Sequence, residues 1–187
     1  MRTFIAADIT PEIRKRLSEF VDKTRASFPG ARWARPEGLH ITLKFLGEIT
    51  ADQKEQVEAA VRRIKSQHFE ISIRGLGFFP NTRSPRVFWA GIEAGGQLPA
   101  LASAVDEALL PLGFPKEKQS YNPHLTLARF NPGTKANAAS AKSLLEAPPP
   151  EFGTMTANEF FLYQSKLSPR GSIYSKLTRF DLEGEPL

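Results

Sequence analysis

The sequence predicts an α+β fold in which two similar halves face each other across a central cleft. The order strand, helix, strand, helix, strand can be read twice, over roughly residues 1–80 and 84–187. A short His-x-Thr-x pattern occurs once in each half, at His40 and at His124, each time in the second strand of the half. Short strands and helices in mixed order favour an α+β architecture. We therefore expect residues 1–187 to form a single bilobal domain.

The first half begins with a strand and a well-marked helix. Thr10 followed by Pro11 is a helix start, because Thr is a good N-cap and Pro is favoured in the first turn. Thr50 is the corresponding cap of the second helix. The predicted elements are, in order, a strand at 2–8, a helix at 11–27, a strand at 39–46, a helix at about 51–66 and a strand at 69–74.

The second half repeats this order. Its helix contains Leu98, Leu101, Val105 and Leu109 at helical spacing. The predicted elements are a strand at 86–93, a helix at about 97–110, a strand at 124–130, a short helix at about 136–146, a strand at 152–163 and a final strand at about 173–182.

Composition excludes several classes of protein. The chain has 187 residues, enough for one large domain or two small lobes that share a core. It has no cysteine, which excludes disulfide scaffolds, thiolate zinc sites and a cysteine nucleophile. The net charge of +5 favours an anionic partner. No apolar stretch approaches the roughly 20 residues of a membrane span. The first apolar run is too short for a signal peptide, so we expect a cytoplasmic protein.

The two tetrapeptides His40-Ile41-Thr42-Leu43 and His124-Leu125-Thr126-Leu127 are the strongest indication of function. Side chains alternate faces along a strand, so each histidine and its threonine project from the same side. A pair of imidazoles can supply a general acid and a general base near neutral pH. The two threonine hydroxyls can donate hydrogen bonds to an anion between them. The pair therefore predicts acid–base chemistry on an anionic group.

Residues that follow the histidines are weaker candidates. Arg129 suits bidentate contact with phosphate, and Phe45 could stack on a base. Both lie five residues after their histidine, so regular alternation turns them to the core unless the strand ends, twists or bulges. Lys44 has the parity of the cleft face, with a solvated position at the rim as an equal alternative. The core and the cleft both remain open for Phe45.

Other cations and an aromatic residue could extend the site. Trp33 lies between Arg32 and Arg35, an arrangement that suits a nucleobase and its phosphates, although a core tryptophan is equally consistent. A basic rim could include Arg83, Arg86, Lys166 and Arg170. The chain has no HExxH pattern, no His-x-His-x-His cluster and no phosphate-binding Gly-x-x-x-x-Gly-Lys loop. We therefore expect no metal and no other cofactor.

Two longer strings, HITLKFLGE (His40 to Glu48) and NPHLTLARF (Asn122 to Phe130), resemble the paired motifs of the 2H phosphoesterase superfamily. The resemblance is greatest to its RNA 2′,3′-cyclic phosphodiesterase branch, also called the 2′-5′ RNA ligase family. The loop WARPEGLH and the tail LYQSKLSPRGSIYSKL extend it over nearly the whole chain.

The resemblance implies a bilobal α+β fold with a central cleft and metal-independent hydrolysis of RNA 2′,3′-cyclic phosphate ends to 2′-phosphates. It implies that His40 is the acid toward the 3′ oxygen and His124 the base toward water. The implied substrates are RNA ends, nucleoside 2′,3′-cyclic phosphates or tRNA fragments, with reversible 2′-5′ ligation as a further activity. We expect a monomer. The alternative is a noncatalytic RNA- or nucleotide-binding module on the same fold.

Overall fold

The structure is a computed structural model that describes residues 1–131, 135–169 and 171–183, without the side chains of residues 135 and 136. Its strands are β1 (Arg2–Ala7), β2 (Arg32–Trp33), β3 (Ile41–Glu48), β4 (Phe69–Phe79), β5 (Val87–Glu93), β6 (His124–Arg129), β7 (Glu151–Ala157), β8 (Glu159–Ser168) and β9 (Gly171–Asp181). Its helices are α1 (Pro11–Thr24), α2 (Ala51–Val61), α3 (Gln97–Leu109) and α4 (Lys135–Glu146).

Two antiparallel sheets form the framework of the molecule. One has the strand order β3-β1-β8-β9, and the other has the order β2-β6-β5-β4-β7. The buried apolar residues of both sheets and of the helices belong mainly to one contiguous core. The predicted α+β class with two lobes is confirmed, and each sheet contains one of the two His-x-Thr strands.

The sheets do not follow the boundaries of the sequence halves. The motif strand of each half pairs with the first strand of that half, β3 with β1 and β6 with β5. In contrast, β4 from the first half pairs with β5 and β7, while β8 from the second half pairs with β1. With β2 and β9 included, each half therefore gives two strands to the other sheet. The boundary between the half-repeats at residues 80–84 stays a prediction, and it does not coincide with a boundary between the two sheets.

The helices begin where the sequence predicts them, because the structure contains the caps and apolar faces that the sequence indicates. The Thr10 hydroxyl accepts a hydrogen bond from the Ile13 amide at 3.4 Å, at the start of α1. Thr50 and Gln53 form a reciprocal capping box at the start of α2. The predicted end of this helix at residue 66 is wrong, since α2 ends at Val61. In the described part of the chain, no helix combines the length and apolar character that a membrane crossing would need.

The single strand predicted at 152–163 is wrong, because two strands occupy this segment. β7 ends at Ala157, β8 begins at Glu159, and the two belong to different sheets. Only Asn158 separates them. The run is rich in β-prone residues and has no Gly or Pro at the break, so sequence alone offers a weak signal for the change of sheet.

Candidate active site

Residues from both sheets line a cleft of about 1120 Å³. All eight residues that the sequence singles out for the site border it, and they come from β2, β3, β6 and the residue just before β3. They are Trp33, His40, Thr42, Lys44, Phe45, His124, Thr126 and Arg129. The structure thus brings together two motifs that lie 84 residues apart in the chain.

A β-bulge interrupts the alternation of β3 at the last residue of its motif. Thr42 pairs with Ala6 on β1, and Lys44 pairs with the next β1 residue, Ile5. Leu43 is therefore an extra residue that has no partner of its own. Such a bulge reverses the faces of the side chains that follow it. Phe45 consequently lies on the cleft side and is 63% exposed.

The second motif strand has the same bulge at the same offset. Thr126 pairs with Trp89 on β5, and Ala128 pairs with the adjacent Phe88, so Leu127 is the extra residue. Arg129 is therefore exposed and borders the cleft. The sequence allowed this position only if the strand ended, twisted or bulged. Residues 41–45 and 125–129 share one burial pattern, with two consecutive buried residues before an exposed one.

The predicted position of the Lys44 side chain, on the cleft face or solvated at the rim, is wrong, because the same bulge turns this side chain toward the core. Although Lys44 borders the cleft, its side chain is only 2% exposed. Its ammonium donates hydrogen bonds to the Asp106 carboxylate on α3 and to the Pro115 carbonyl, the latter at 2.7 Å. Asp106 also accepts a hydrogen bond from the Glu117 amide at 3.3 Å. A buried ammonium requires such partners. Lys44 therefore anchors the loop that leads to the second motif.

His40 lies in an aromatic environment. Its ring stacks on Phe4 at a centroid distance of 4.5 Å and meets the edge of Tyr174 at 5.1 Å. Burial lowers the pKa of His40 from 6.5 to about 4, and a hydrogen bond to the Gly38 backbone opposes this shift in part. The imidazole of the free protein is therefore neutral at pH 7, because desolvation disfavours its charged form.

His124 is oriented by a backbone carbonyl. Its Nδ1 lies 2.8 Å from the carbonyl oxygen of Asn122. A carbonyl can only accept, so Nδ1 must carry the hydrogen. In the neutral ring this leaves the lone pair on Nε2. The edge of Phe79 supports the ring at a centroid distance of 5.1 Å. Both histidines thus form a hydrogen bond with the backbone of the residue two positions before them.

Arg14 on α1 supports the turn before His40. Its guanidinium donates to the Pro36 carbonyl and, at 3.1 Å, to the Leu39 carbonyl. It also forms a salt bridge with Asp8, and both side chains are largely buried. These contacts hold the segment that supplies the Gly38 backbone to the ring of His40. Sequence reasoning missed this residue, since its pattern on α1 is that of an ordinary amphipathic helix.

Tyr121 links the two motifs directly. Its hydroxyl donates to the Thr42 carbonyl at 2.8 Å, although 79 residues separate them in sequence. Burial raises the pKa of Tyr121, so the hydroxyl stays protonated and remains a donor. Its proximity to the second motif, three residues before His124, is the signal that sequence reasoning could have used.

Trp33 is half buried and packs against the core. Its ring meets Phe28 at 6.3 Å and Phe88 at 6.0 Å, both nearly edge to face. Trp33 therefore packs as a core tryptophan, and it also borders the cleft. Contact with a nucleobase stays a prediction.

The cleft is lined by more positive than negative charge. Arg2, Arg32 and Arg129 border it, and none of them forms a salt bridge with a described residue. Glu117 is the acidic side chain among the residues that line it. The predicted rim residues Arg83, Arg86 and Lys166 are exposed but do not line the cleft, and Arg170 lies outside the described residues. Within residues 1–131, 135–169 and 171–183, no group of three or more His, Asp and Glu side chains could hold a metal ion.

Comparison with known proteins identifies the family. The profile of the family described as LigT like Phosphoesterase matches residues 8–89 and again residues 92–174, and each segment contains one His-x-Thr motif. The chain belongs to the LigT-like phosphoesterase family. The resemblance to 2H phosphoesterases that the two motifs indicate is thereby confirmed.

Individual relatives are similar to the phosphoesterase in sequence or structure over nearly its full length. An Archaeoglobus fulgidus protein named RNA 2′,3′-cyclic phosphodiesterase is 37% identical over 97% of this chain and 100% of its own. A Thermus thermophilus crystal structure superposes with a TM-score of 0.82 and 33% identity, covering 100% of both chains. Escherichia coli LigT in complex with 3′-AMP gives a TM-score of 0.79 at 26% identity, covering 98% of both chains.

We predict that Lys44→Met lowers the free energy of unfolding by about 3 kcal/mol, because it leaves the Asp106 carboxylate without its cation. Urea unfolding measures this loss. Lys44→Met combined with Asp106→Leu should be less destabilising than the single change. The control Lys142→Met breaks an exposed salt bridge with Glu146 and should alter stability by less than about 0.5 kcal/mol. Unchanged stability together with weaker RNA binding would instead support the predicted RNA-binding role of Lys44.

Proposed function

We propose that this phosphoesterase hydrolyses the 2′,3′-cyclic phosphate ends of RNA to 2′-phosphates, with His40 and His124 as its acid–base pair. The observation that carries the proposal is that both His-x-Thr motifs border one cleft. Relatives that match 97% of the chain and are named RNA 2′,3′-cyclic phosphodiesterase support this substrate class.

The reaction needs one proton acceptor and one proton donor. Water attacks phosphorus while the bond from phosphorus to the 3′ oxygen breaks, which leaves a 2′-phosphate and a free 3′ hydroxyl. One imidazole takes a proton from the water, and the other gives a proton to the departing 3′ oxygen. Each proton transfer of this kind contributes typically ~10²–10⁴-fold to the rate.

His124 is suited to be the base. The Asn122 carbonyl fixes the hydrogen on Nδ1, so Nε2 presents its lone pair to water. His40 then protonates the 3′ oxygen, which requires it to be charged when substrate is bound. Its lowered pKa makes it neutral in the free protein. The anionic phosphate raises that pKa, because a nearby opposite charge favours the protonated ring. His40 therefore acquires its proton together with the substrate.

Thr42 and Thr126 hold the phosphate. Their hydroxyls donate hydrogen bonds to its nonbridging oxygens, where negative charge grows in the transition state. Both side chains are half buried and line the cleft beside their histidines. Arg129 adds a cation on the same strand and also binds phosphate. Phe45 and the accessible part of Trp33 stack on nucleobases, since aromatic faces accept any base.

The same groups could run the reverse chemistry, and 2′-5′ ligation stays a prediction. The use of tRNA fragments, the monomeric state and the cytoplasmic location are likewise predictions. The noncatalytic binding module remains the opposing hypothesis, and a turnover assay separates the two functions.

We predict that the protein converts a nucleoside 2′,3′-cyclic phosphate to the nucleoside 2′-phosphate in the presence of excess EDTA. His40→Ala and His124→Ala should each lower kcat by at least about 100-fold, because each removes one proton transfer. Product chromatography measures the rate and the position of the phosphate.

The control is His68→Ala, which removes the third histidine and does not alter the cleft lining. Circular dichroism checks that each variant is folded. Tight binding of the cyclic nucleotide without turnover would favour the binding module. Loss of activity with EDTA that a divalent ion restores would contradict the two-histidine mechanism.

We also predict that product binding raises the pKa of His40. In the free protein the ring should titrate near its lowered value of about 4. A nucleoside 2′-phosphate should raise this pKa by about 1–3 pH units, as an adjacent opposite charge does. Imidazole NMR shifts recorded from well below pH 4 up to pH 8, with and without the product, measure both values. A pKa that stays low in the complex would show that His40 is not the acid and would reverse the two roles.

A further inference from the structure

We propose that Trp89 on β5 is a positioning residue, which holds the imidazole of His124 in the orientation that proton transfer from water requires. Its indole ring lies in a notch on the surface of the sheet, where Gly77 and Gly91 provide no side chain. This inference rests on the proposed function. It adds a residue that acts through His124 and is not among the residues that line the cleft.

The residue directly opposite His124 on the neighbouring strand has no side chain. His124 on β6 pairs with Gly91 on β5. A Cβ atom at Gly91 would lie only 2.5 Å from the backbone oxygen of Arg74, so a larger residue does not fit there without a shift of the backbone. The imidazole therefore has no support from the directly opposite position. A diagonal neighbour can supply that support if its side chain is aromatic or long.

Trp89 is such a diagonal neighbour. It pairs with Thr126, two residues beyond His124 on β6, and so projects from the same face of the sheet. The centroid of its ring lies 6.5 Å from that of His124 and 5.2 Å from that of Phe79. Phe79 in turn meets His124 edge to face at 5.1 Å. All three distances are typical of interacting rings, so Trp89 and Phe79 together restrict rotation of the imidazole.

Gly77 on β4 fixes the position of the Trp89 ring from the other side. The two residues are directly opposite each other. A Cβ atom at Gly77 would lie 2.0, 2.2 and 2.5 Å from three carbons of the indole, so the ring lies across the bare backbone of this glycine. A glycine inside a strand often marks such a close approach. Any side chain at this position would force the indole out of the notch.

The buried position of the indole has a cost. Its Nε1 is buried and forms no hydrogen bond with any described residue. A buried donor without a partner costs about 1–3 kcal/mol, and such a group calls for an explanation. The length of the ring supplies one. The indole extends from Gly77 on β4 toward His124 on β6, across strands that lie ~4.8 Å apart, and a phenyl ring is too short to contact both.

The first motif has no counterpart of Trp89. Ala6 on β1 faces Thr42 there, at the position that Trp89 occupies in the second motif. The ring of His40 is instead stacked directly on Phe4 at a centroid distance of 4.5 Å. The two half-sites therefore hold their imidazoles by different means, and a change at Trp89 should affect the second imidazole alone.

Steady-state kinetics with a nucleoside 2′,3′-cyclic phosphate tests the role of the indole. Trp89→Phe should lower kcat about tenfold and leave KM unchanged, because a small displacement of a catalytic group slows the chemical step. Gly77→Ala should cause a similar loss, since the added methyl group displaces the indole. The matched control is Gly96→Ala, where a Cβ atom meets nothing within 4 Å and kcat should not change. Neither glycine has a positive φ, so alanine introduces no backbone strain.

The double variant with Gly77→Ala and Trp89→Phe shows whether the glycine acts through the indole. If it does, the double variant should have the kcat of Trp89→Phe within about twofold, because changes at residues in contact are not additive. Losses that multiply would overturn the notch. Circular dichroism checks that each variant is folded, and Trp89→Phe carries the test by itself if Gly77→Ala does not fold.

Nitrogen NMR of the imidazole rings gives a second measurement, which needs no substrate. In alkaline solution the neutral ring of His124 should carry its hydrogen on Nδ1, which donates to the Asn122 carbonyl. In Trp89→Phe the ring no longer keeps one orientation, so a mixture of the Nδ1–H and Nε2–H forms should appear. The signals of His40 should not change.

An unchanged kcat in Trp89→Phe, or an unchanged single form of the His124 ring, would overturn the positioning role. A rise in KM alone would also overturn it, because it would indicate direct contact with the substrate. Absence of turnover in the unaltered protein would overturn the proposed function, and the NMR measurement would still decide whether Trp89 orients His124.

Discussion

The extra residues at Leu43 and Leu127 set the register of the two motif strands, and the contents of the cleft depend on that register. Before each bulge, alternation places the histidine and threonine on one face. After it, the faces are reversed, and Phe45 and Arg129 join the same cleft. Without the bulges both would point toward the core, where a guanidinium needs partners that an apolar layer does not offer. The bulges therefore assemble the catalytic pair and the binding residues on one surface.

The same register buries a cation, and the contacts of that cation connect two distant parts of the chain. Lys44 occupies a core position, whereas its counterpart in the second motif is the small apolar Ala128. The ammonium is satisfied by Asp106 and Pro115, which belong to the second half of the chain. Tyr121, also from the second half, donates a hydrogen bond to the Thr42 carbonyl. These contacts connect the first motif strand to the loop that precedes His124. The relative position of the two half-sites thus depends on a few polar contacts as well as on the shared core.

The sequence is sufficient for those features whose causes are local. The caps Thr10 and Thr50 and the apolar helix faces are encoded within a few residues of each element, and the structure agrees with them. The paired motifs are also local patterns, and their recurrence indicates that they act together. The same holds for the strand faces of His40 and Thr42, which follow from simple alternation.

Features that depend on pairing between distant strands were not predictable in this way. A bulge is defined by the partner strand, so β3 and β6 alone indicate only that one is possible. The presence of β2 and β4 in one sheet and of β8 and β9 in the other depends on the packing of the whole molecule. Alternation alone places Lys44 on the cleft face, and its carboxylate partner lies 62 residues away in sequence, so no local pattern indicates the burial of its ammonium. Arg14 was missed for a similar reason, since its carbonyl partners lie in a distant turn.

The central claim is that two half-sites act on a single phosphate, and a crystal structure with a nucleoside 2′-phosphate tests it most directly. The account predicts one phosphate with Nε2 of His40 and Nε2 of His124 each within ~3 Å of its oxygens, which places the two nitrogens roughly 5–8 Å apart. Both threonine hydroxyls should donate to the same phosphate. A phosphate held by one motif alone, with the two nitrogens more than about 12 Å apart and thus beyond any shared hydrogen-bonded group, would contradict the account.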